Sequence, residues 1–233
     1  MPKIVITGRG EAVPCSGCHA PTGAGMPHTA SLTGLPAGYI LEQLKAFGDG
    51  SRANGDMHAE ALSVSDADLQ QAAAYFCRLR LASGRAQIIQ AAWVPKTHIE
   101  SWMLVPAMGG GIEAIGDRVI ELPVNAEDVR MGDARARFVA YVPPGSIARG
   151  RLLVSTGAGE TIACTACHGA DLRGVANIPP LAGRSPTYIT RQLVQFALGN
   201  RRGEAAAPMQ QEVLHLTLRD MIAAAAYAAS LEP

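Results

Sequence analysis

Two pentapeptides carry chemistry in this chain: Cys15-Ser16-Gly17-Cys18-His19 and Cys164-Thr165-Ala166-Cys167-His168. Two thiols three residues apart, followed at once by an imidazole, form the spacing at which c-type haem is attached. The thiols straddle one edge of the macrocycle and add across its vinyl groups. The adjacent histidine turns under the face and reaches the iron. One copy is a moderate indication, but here each copy sits inside a longer match.

A shift of 149 residues superposes Cys15, Cys18 and His19 on Cys164, Cys167 and His168, and continues without a gap to Arg52 and Arg201. Leu32/Leu181, Gly34/Gly183, Tyr39/Tyr188, Gln43/Gln192 and Phe47/Phe196 all match on the way. After three extra residues in the second copy, Met57 meets Met209, Asp68 meets Asp220 and Tyr75 meets Tyr227. Self-similarity of this kind marks one structural unit used twice.

The matched methionines lie 38 and 41 residues beyond their histidines, each expected on a loop before the last helix of its unit. A thioether is a soft ligand that favours Fe(II). Met57 and Met209 are therefore the expected sixth ligands opposite His19 and His168. The local competitors His58, His28, Met26 and His215 have no partner in the repeat. The second ring nitrogen of each histidine needs a backbone carbonyl to fix the ring. Pro179-Pro180-Leu181 offers one, and Ala30-Ser31-Leu32 stands in the matching place. Arg52 and Arg201 are candidates to pair with haem propionates, against the alternative of helix-end surface charges. A zinc site or a dithiol centre would use the cysteines alone, leaving the repeated histidines and methionines unexplained.

These residues need elements to position them. Apolar residues at 40, 41, 44 and 47 follow a helical period, Ser65-Asp66-Ala67-Asp68 reads as the cap of a helix to about Leu81, and Gly8 stands where another helix crosses closely. From Gly84 to about Gly145 the pattern changes to short β-favouring runs separated by Gly and Pro. Both tryptophans, Trp93 and Trp102, fall there. The expected division is 1–83, 84–145 and 146–233. The middle segment is expected to bury Trp93 or Trp102 against the haem units or a partner.

Twenty basic residues balance twenty acidic ones over the 233 residues, so no charge asymmetry points to nucleic acid or a membrane surface. Four of five cysteines belong to the pentapeptides, and Cys77 reads as a small buried hydrophobe. There is no apolar run of membrane-spanning length. Haem c is attached outside the bacterial cytoplasm, so a leader is expected upstream. The short Met1–Ile6 stretch, set against Ser146–Val154, reads as a clipped first helix.

The order of these features is similar to a known family. C-x-x-C-H, Leu-x-Gly, Tyr with Gln-Leu on the next helix, Gly-x-Arg, a methionine, Ser/Thr-x-x-Asp and Ala-Ala-Tyr resemble the class I cytochrome c domain. Their tandem use in 3–82 and 146–233 resembles the dihaem cytochrome c4-type proteins of the bacterial periplasm. Segment 84–145 lies outside that pattern. The resemblance implies a mainly α fold of two tandem cytochrome c domains joined by a β-rich insert. It implies two covalently bound haem c groups, periplasmic location, and single-electron transfer between a redox donor and acceptor, with a terminal oxidase as the family's usual partner. A second reading makes the chain the electron-transfer subunit of a periplasmic dehydrogenase, docked through the insert. A third, a dihaem peroxidase-type enzyme, needs an open iron and a distal acid or base, and the paired methionines argue against it.

Overall fold

The periodic stretches around each pentapeptide fold as helices, and the β-favouring runs between them fold as strands. The computed structural model of the protein describes residues 1–100 and 102–233. The first part holds α1 (Lys3–Ile6), α2 (Cys15–His19), α3 (Ala37–Gly48), α4 (Gly55–Ser63) and α5 (Asp66–Cys77). Then come β1 (Ala86–Gln90), β2 (Trp93–Pro95), β3 (Thr97–Glu100), β4 (Met103–Pro106), β5 (Ile112–Ala114), β6 (Ile120–Pro123), α6 (Ala126–Arg130) and β7 (Phe138–Val142). The last part holds α7 (Ser146–Thr156), α8 (Thr165–His168), α9 (Pro186–Ala197), α10 (Ala207–Val213) and α11 (Leu218–Ala229).

In the first part, the Ser65 hydroxyl accepts from the Asp68 N–H and starts α5, a cap worth about 1 kcal/mol. α5 turns Ala72, Ala73 and Phe76 onto Ile4, Val5 and Ile40; burying a ring such as Phe76 contributes about 2–3 kcal/mol. α5 ends at Cys77, short of Leu81, and the Phe76 carbonyl at its end accepts from the Gly34 N–H. Cys77 is half-buried.

In the last part, α7 crosses α11 over a row of buried alanines, Ala223 to Ala226. A Cβ on Gly150 would lie 2.0 Å from the Ala223 carbonyl oxygen, so only glycine lets these backbones meet. Gly8, expected at such a crossing, instead turns the chain after α1 with φ +69°, where a Cβ would meet the Ala12 carbonyl at 2.3 Å.

All strands among the described residues fall between 86 and 142. β7 pairs parallel with β1 and antiparallel with β6, giving the order β1-β7-β6. The chain thus leaves the first helical part and enters the second along neighbouring strands. β2–β5 and β3–β4 are two-stranded antiparallel ribbons. α6 is a helix where none was expected; the Asn125 side chain accepts from the Glu127 N–H and starts it. Trp93 is not buried within the chain but 62% exposed. The period-2 alternation of β2 turns Val94 inward and Trp93 outward. Trp102 is half-covered, its ring tilted against that of His28 with the ring centres 4.6 Å apart.

Candidate functional site

Each C-x-x-C-H pentapeptide forms one short helical turn, α2 or the run into α8, which buries its histidine. His19 Nδ1 donates to the Ala30 carbonyl at 2.8 Å, and His168 Nδ1 donates to the Pro179 carbonyl at 2.8 Å. Burial pushes both imidazoles below their ordinary pKa, so both are neutral near pH 7. A neutral ring that donates through Nδ1 keeps the Nε2 lone pair free for a metal. The carbonyls come from the two segments picked out in the sequence.

Met57 and Met209 do not lie on loops. Met57 is on the first turn of α4, its N–H capped by the Asn54 side chain at 2.9 Å. Met209 is in α10, which Pro208 helps to start, and it packs on Phe196, Val213 and Met221. His19, Met57, His168 and Met209 line one continuous cavity of about 1240 Å³. A single drug-sized ligand fills about 300–1,000 Å³, so this volume suits two large groups. Cys15, Cys18, Cys164 and Cys167 also line it. His58 turns away, Nδ1 donating to the Phe47 carbonyl.

Burial pushes the thiols of Cys15 and Cys164 up to about 11. A redox dithiol needs the opposite shift. Among the described residues no three His, Cys, Asp or Glu side chains converge in the manner of a zinc site.

Arg52 and Arg201 are not surface charges; they are buried, and they cross between the two halves. Arg52 donates to Gln43 at 2.8 Å in its own half, and to Gln192 at 2.8 Å and Tyr188 at 3.1 Å in the other. Arg201 mirrors this, donating to Gln192 at 3.0 Å, Gln43 at 2.8 Å and the Tyr39 hydroxyl at 3.3 Å. Backbone bonds from Ala53 to Asn200 and from Arg202 to Ser51 close the seam. Burial disfavours ionisation of the Tyr188 phenol, yet Arg52, Arg201 and Arg191 outweigh it and hold that phenol below its ordinary value. Among the described residues neither Arg52 nor Arg201 has a carboxylate within ion-pair distance. Two buried cations with only neutral acceptors, at the edge of a cavity lined by thiols, imidazoles and thioethers, fit a prosthetic group with an anionic edge. That is the chemistry of haem c.

Sequence reasoning missed this seam, although its members were matched in the repeat. The available clue was that Tyr39 and Gln43, four apart on one helix face, are polar in both copies.

No family model matches the chain. Over 70 residues it is 40% identical to cytochrome c-554(548) of Halomonas halodenitrificans, covering 84% of that protein and 30% of this chain. It is 27% identical over 210 residues to the thiosulfate dehydrogenase electron acceptor of Thiomonas intermedia, covering 89% of this chain and 73% of the relative. It is 25% identical over 224 residues to cytochrome c4 of Pseudomonas aeruginosa, covering 94% of this chain and 85% of the relative. The chain belongs to the cytochromes c, and over nearly its whole length it is similar to cytochrome c4.

Among solved structures, this dihaem cytochrome superposes on cytochrome c4 of Pseudomonas stutzeri with a TM-score of 0.64 at 23% identity, covering 93% of both chains. It also superposes on thiosulfate dehydrogenase from Marichromatium purpuratum with a TM-score of 0.67 at 25% identity. That match covers 99% of this chain but only 39% of the other, so the cytochrome spans about two fifths of that longer protein. The chain is a dihaem electron-transfer cytochrome with two covalently bound haem c groups.

Proposed function

We propose that the cytochrome is a periplasmic electron acceptor for a dehydrogenase, using two His/Met-ligated haems. Each haem supplies a one-electron Fe(III)/Fe(II) couple. In this reading Cys15 and Cys18 hold one group, and Cys164 and Cys167 the other. His19 and Met57 ligate the first iron, and His168 and Met209 the second. Arg52 and Arg201 hold propionate edges at the seam. The observation that carries the reading is the cavity shared by both His/Met pairs. Its walls are mostly apolar, and its two parts meet at one hydrogen-bonded seam.

The acceptor role is supported by the Thiomonas relative, which is named as the electron acceptor of thiosulfate dehydrogenase. Among the described residues no helix is long and apolar enough to cross a membrane. Residues 84–145 are proposed as a folded insert between two haem units, 1–83 and 146–233. Its exposed Trp93 is the place where a partner gains most from contact, since aromatic anchors dominate interfaces. A terminal oxidase is a fitting onward acceptor.

The test combines intact mass with reduction kinetics. The denatured mass should equal the polypeptide plus two haems. Stopped-flow mixing with a thiosulfate dehydrogenase and thiosulfate, whose oxidation supplies the electrons, should reduce the wild type. A variant with Gln87–Pro143 replaced by a Gly/Ser linker should keep both haem spectra but lose rapid reduction. One haem by mass, or undiminished reduction of the linker variant, contradicts the corresponding part of the proposal.

A further inference from the structure

Arg184 stands just before α9, and its repeat counterpart is Leu35, so it belongs to no feature shared by the two units. It is buried, and among the described residues it has no carboxylate within ion-pair distance. All three of its donor groups are spent on main-chain carbonyls. Nε donates to Pro180 at 2.7 Å, Nη1 to Ser31 at 2.8 Å, and Nη2 to Thr33 at 2.8 Å. Pro180 is the residue after Pro179, whose carbonyl holds His168 Nδ1. Ser31 is the residue after Ala30, whose carbonyl holds His19 Nδ1.

We propose that Arg184 is a positioning residue shared by both haem sites, fixing the two loops whose carbonyls orient His19 and His168. The proposal rests on the histidine ligation proposed above. A planar guanidinium suits this task because its donors diverge in fixed directions. One rigid group therefore sets the loops of both units relative to each other. Pinning the peptide next to an acceptor fixes the direction of that acceptor's C=O. Burial drags Arg184 down to about 10, still charged at neutral pH, so its bonds to carbonyls are charge-assisted and strong. Its neighbour Ser185 donates to the buried Glu121 of β6 at 2.6 Å, and Glu121 also accepts from the Thr187 N–H at 3.3 Å. The backbone carrying Arg184 is thus held from the strand segment as well.

An N–H···O=C bond raises the basicity of the ligating imidazole, which favours Fe(III). Loosening both bonds should therefore raise both potentials. The experiment uses the holoprotein. Arg184→Lys keeps the charge but not the planar fork of three separated nitrogens, so a change in it reports positioning. Midpoint potentials and the low-spin electron paramagnetic resonance signals of the oxidised protein are the readouts. We expect both potentials to rise and both low-spin signals to shift or broaden. Arg219→Ala removes another long-range contact, that to Asp117, and should leave both readouts unchanged. Arg184→Met should move the two signals together as well; if it fails to hold its haems, Arg184→Lys decides alone. A change at one haem only, or at neither, overturns the shared role. A wild type without two low-spin histidine-ligated signals overturns the ligation reading itself, and the role of Arg184 with it.

Discussion

The two halves solve the same problem with different residues. Both hold a histidine ring on a backbone carbonyl at 2.8 Å, but the second half draws that carbonyl from a Pro-Pro pair and the first from Ala30-Ser31. Both bury an aspartate at the start of their last helix and neutralise it with arginine. In the second half Arg149, from α7, reaches Asp220 at 2.8 Å. In the first half Arg9, from the turn after α1, reaches Asp68 at 3.2 Å. α7 lies over α11 along eleven residues, whereas α1 has four to set against α5. The repeat therefore fixes the chemistry at the cavity, while the outer shell of each half has diverged.

The largest test of that contrast is Gly150→Ala. The added Cβ meets the Ala223 carbonyl, and forcing the helices apart should cost about 3 kcal/mol. Hydrogen exchange should speed up along α11 and not along α5. Equal loss in both helices would mean that the halves unfold as one unit.

Smaller is the effect of the arginine pairs. Arg149→Met leaves Asp220 partly buried without its charged donor and should cost about 1.5 kcal/mol. Arg9 is more exposed, so Arg9→Met should cost less than about 1 kcal/mol. Burial works against the Asp220 carboxylate, but Thr217 and Arg149 outweigh it and hold its pKa below the ordinary value. A depressed folded pKa gives stability that is present above the unfolded value near 4 and lost as pH falls through the folded value. Acid titration of α11 exchange should show this loss below about pH 4, and Arg149→Met should make it shallower.

The smallest effect is expected at the histidine loops. Pro179→Ala frees the unfolded chain by about 0.4–1 kcal/mol while leaving the Pro179 carbonyl in place as acceptor. The midpoint potential of the second haem should stay within error of the wild type. A clear shift would show that proline rigidity, and not the hydrogen bond, governs that site.

The sequence made the chemistry legible because it is local: spacing within C-x-x-C-H, helical period around Tyr39 and Phe47, and the Ser65 cap. Matching the copies also singled out Arg52 and Arg201. It could not show that they reach into the opposite half, since a repeat speaks of what each unit has in common and not of what passes between them. Arg184 was invisible for the same reason, having leucine as its counterpart. Met57 and Met209 were read onto loops from their place ahead of the last helix of each unit. In the fold Asn54 caps one helix, and Pro208 sits in the first turn of the other, where its missing N–H costs nothing. Which of Trp93 and Trp102 would meet the rest of the chain was not legible, because a large apolar residue in a strand says nothing about which face is covered.

The central claim is that both irons carry a methionine opposite histidine, and the oxidised visible spectrum tests it most directly. The wild type should show the weak far-red methionine–Fe(III) band, and Met57→His and Met209→His should each remove about half of it while lowering one potential. A band left unchanged by either substitution would contradict that assignment and turn attention to His58 or His215.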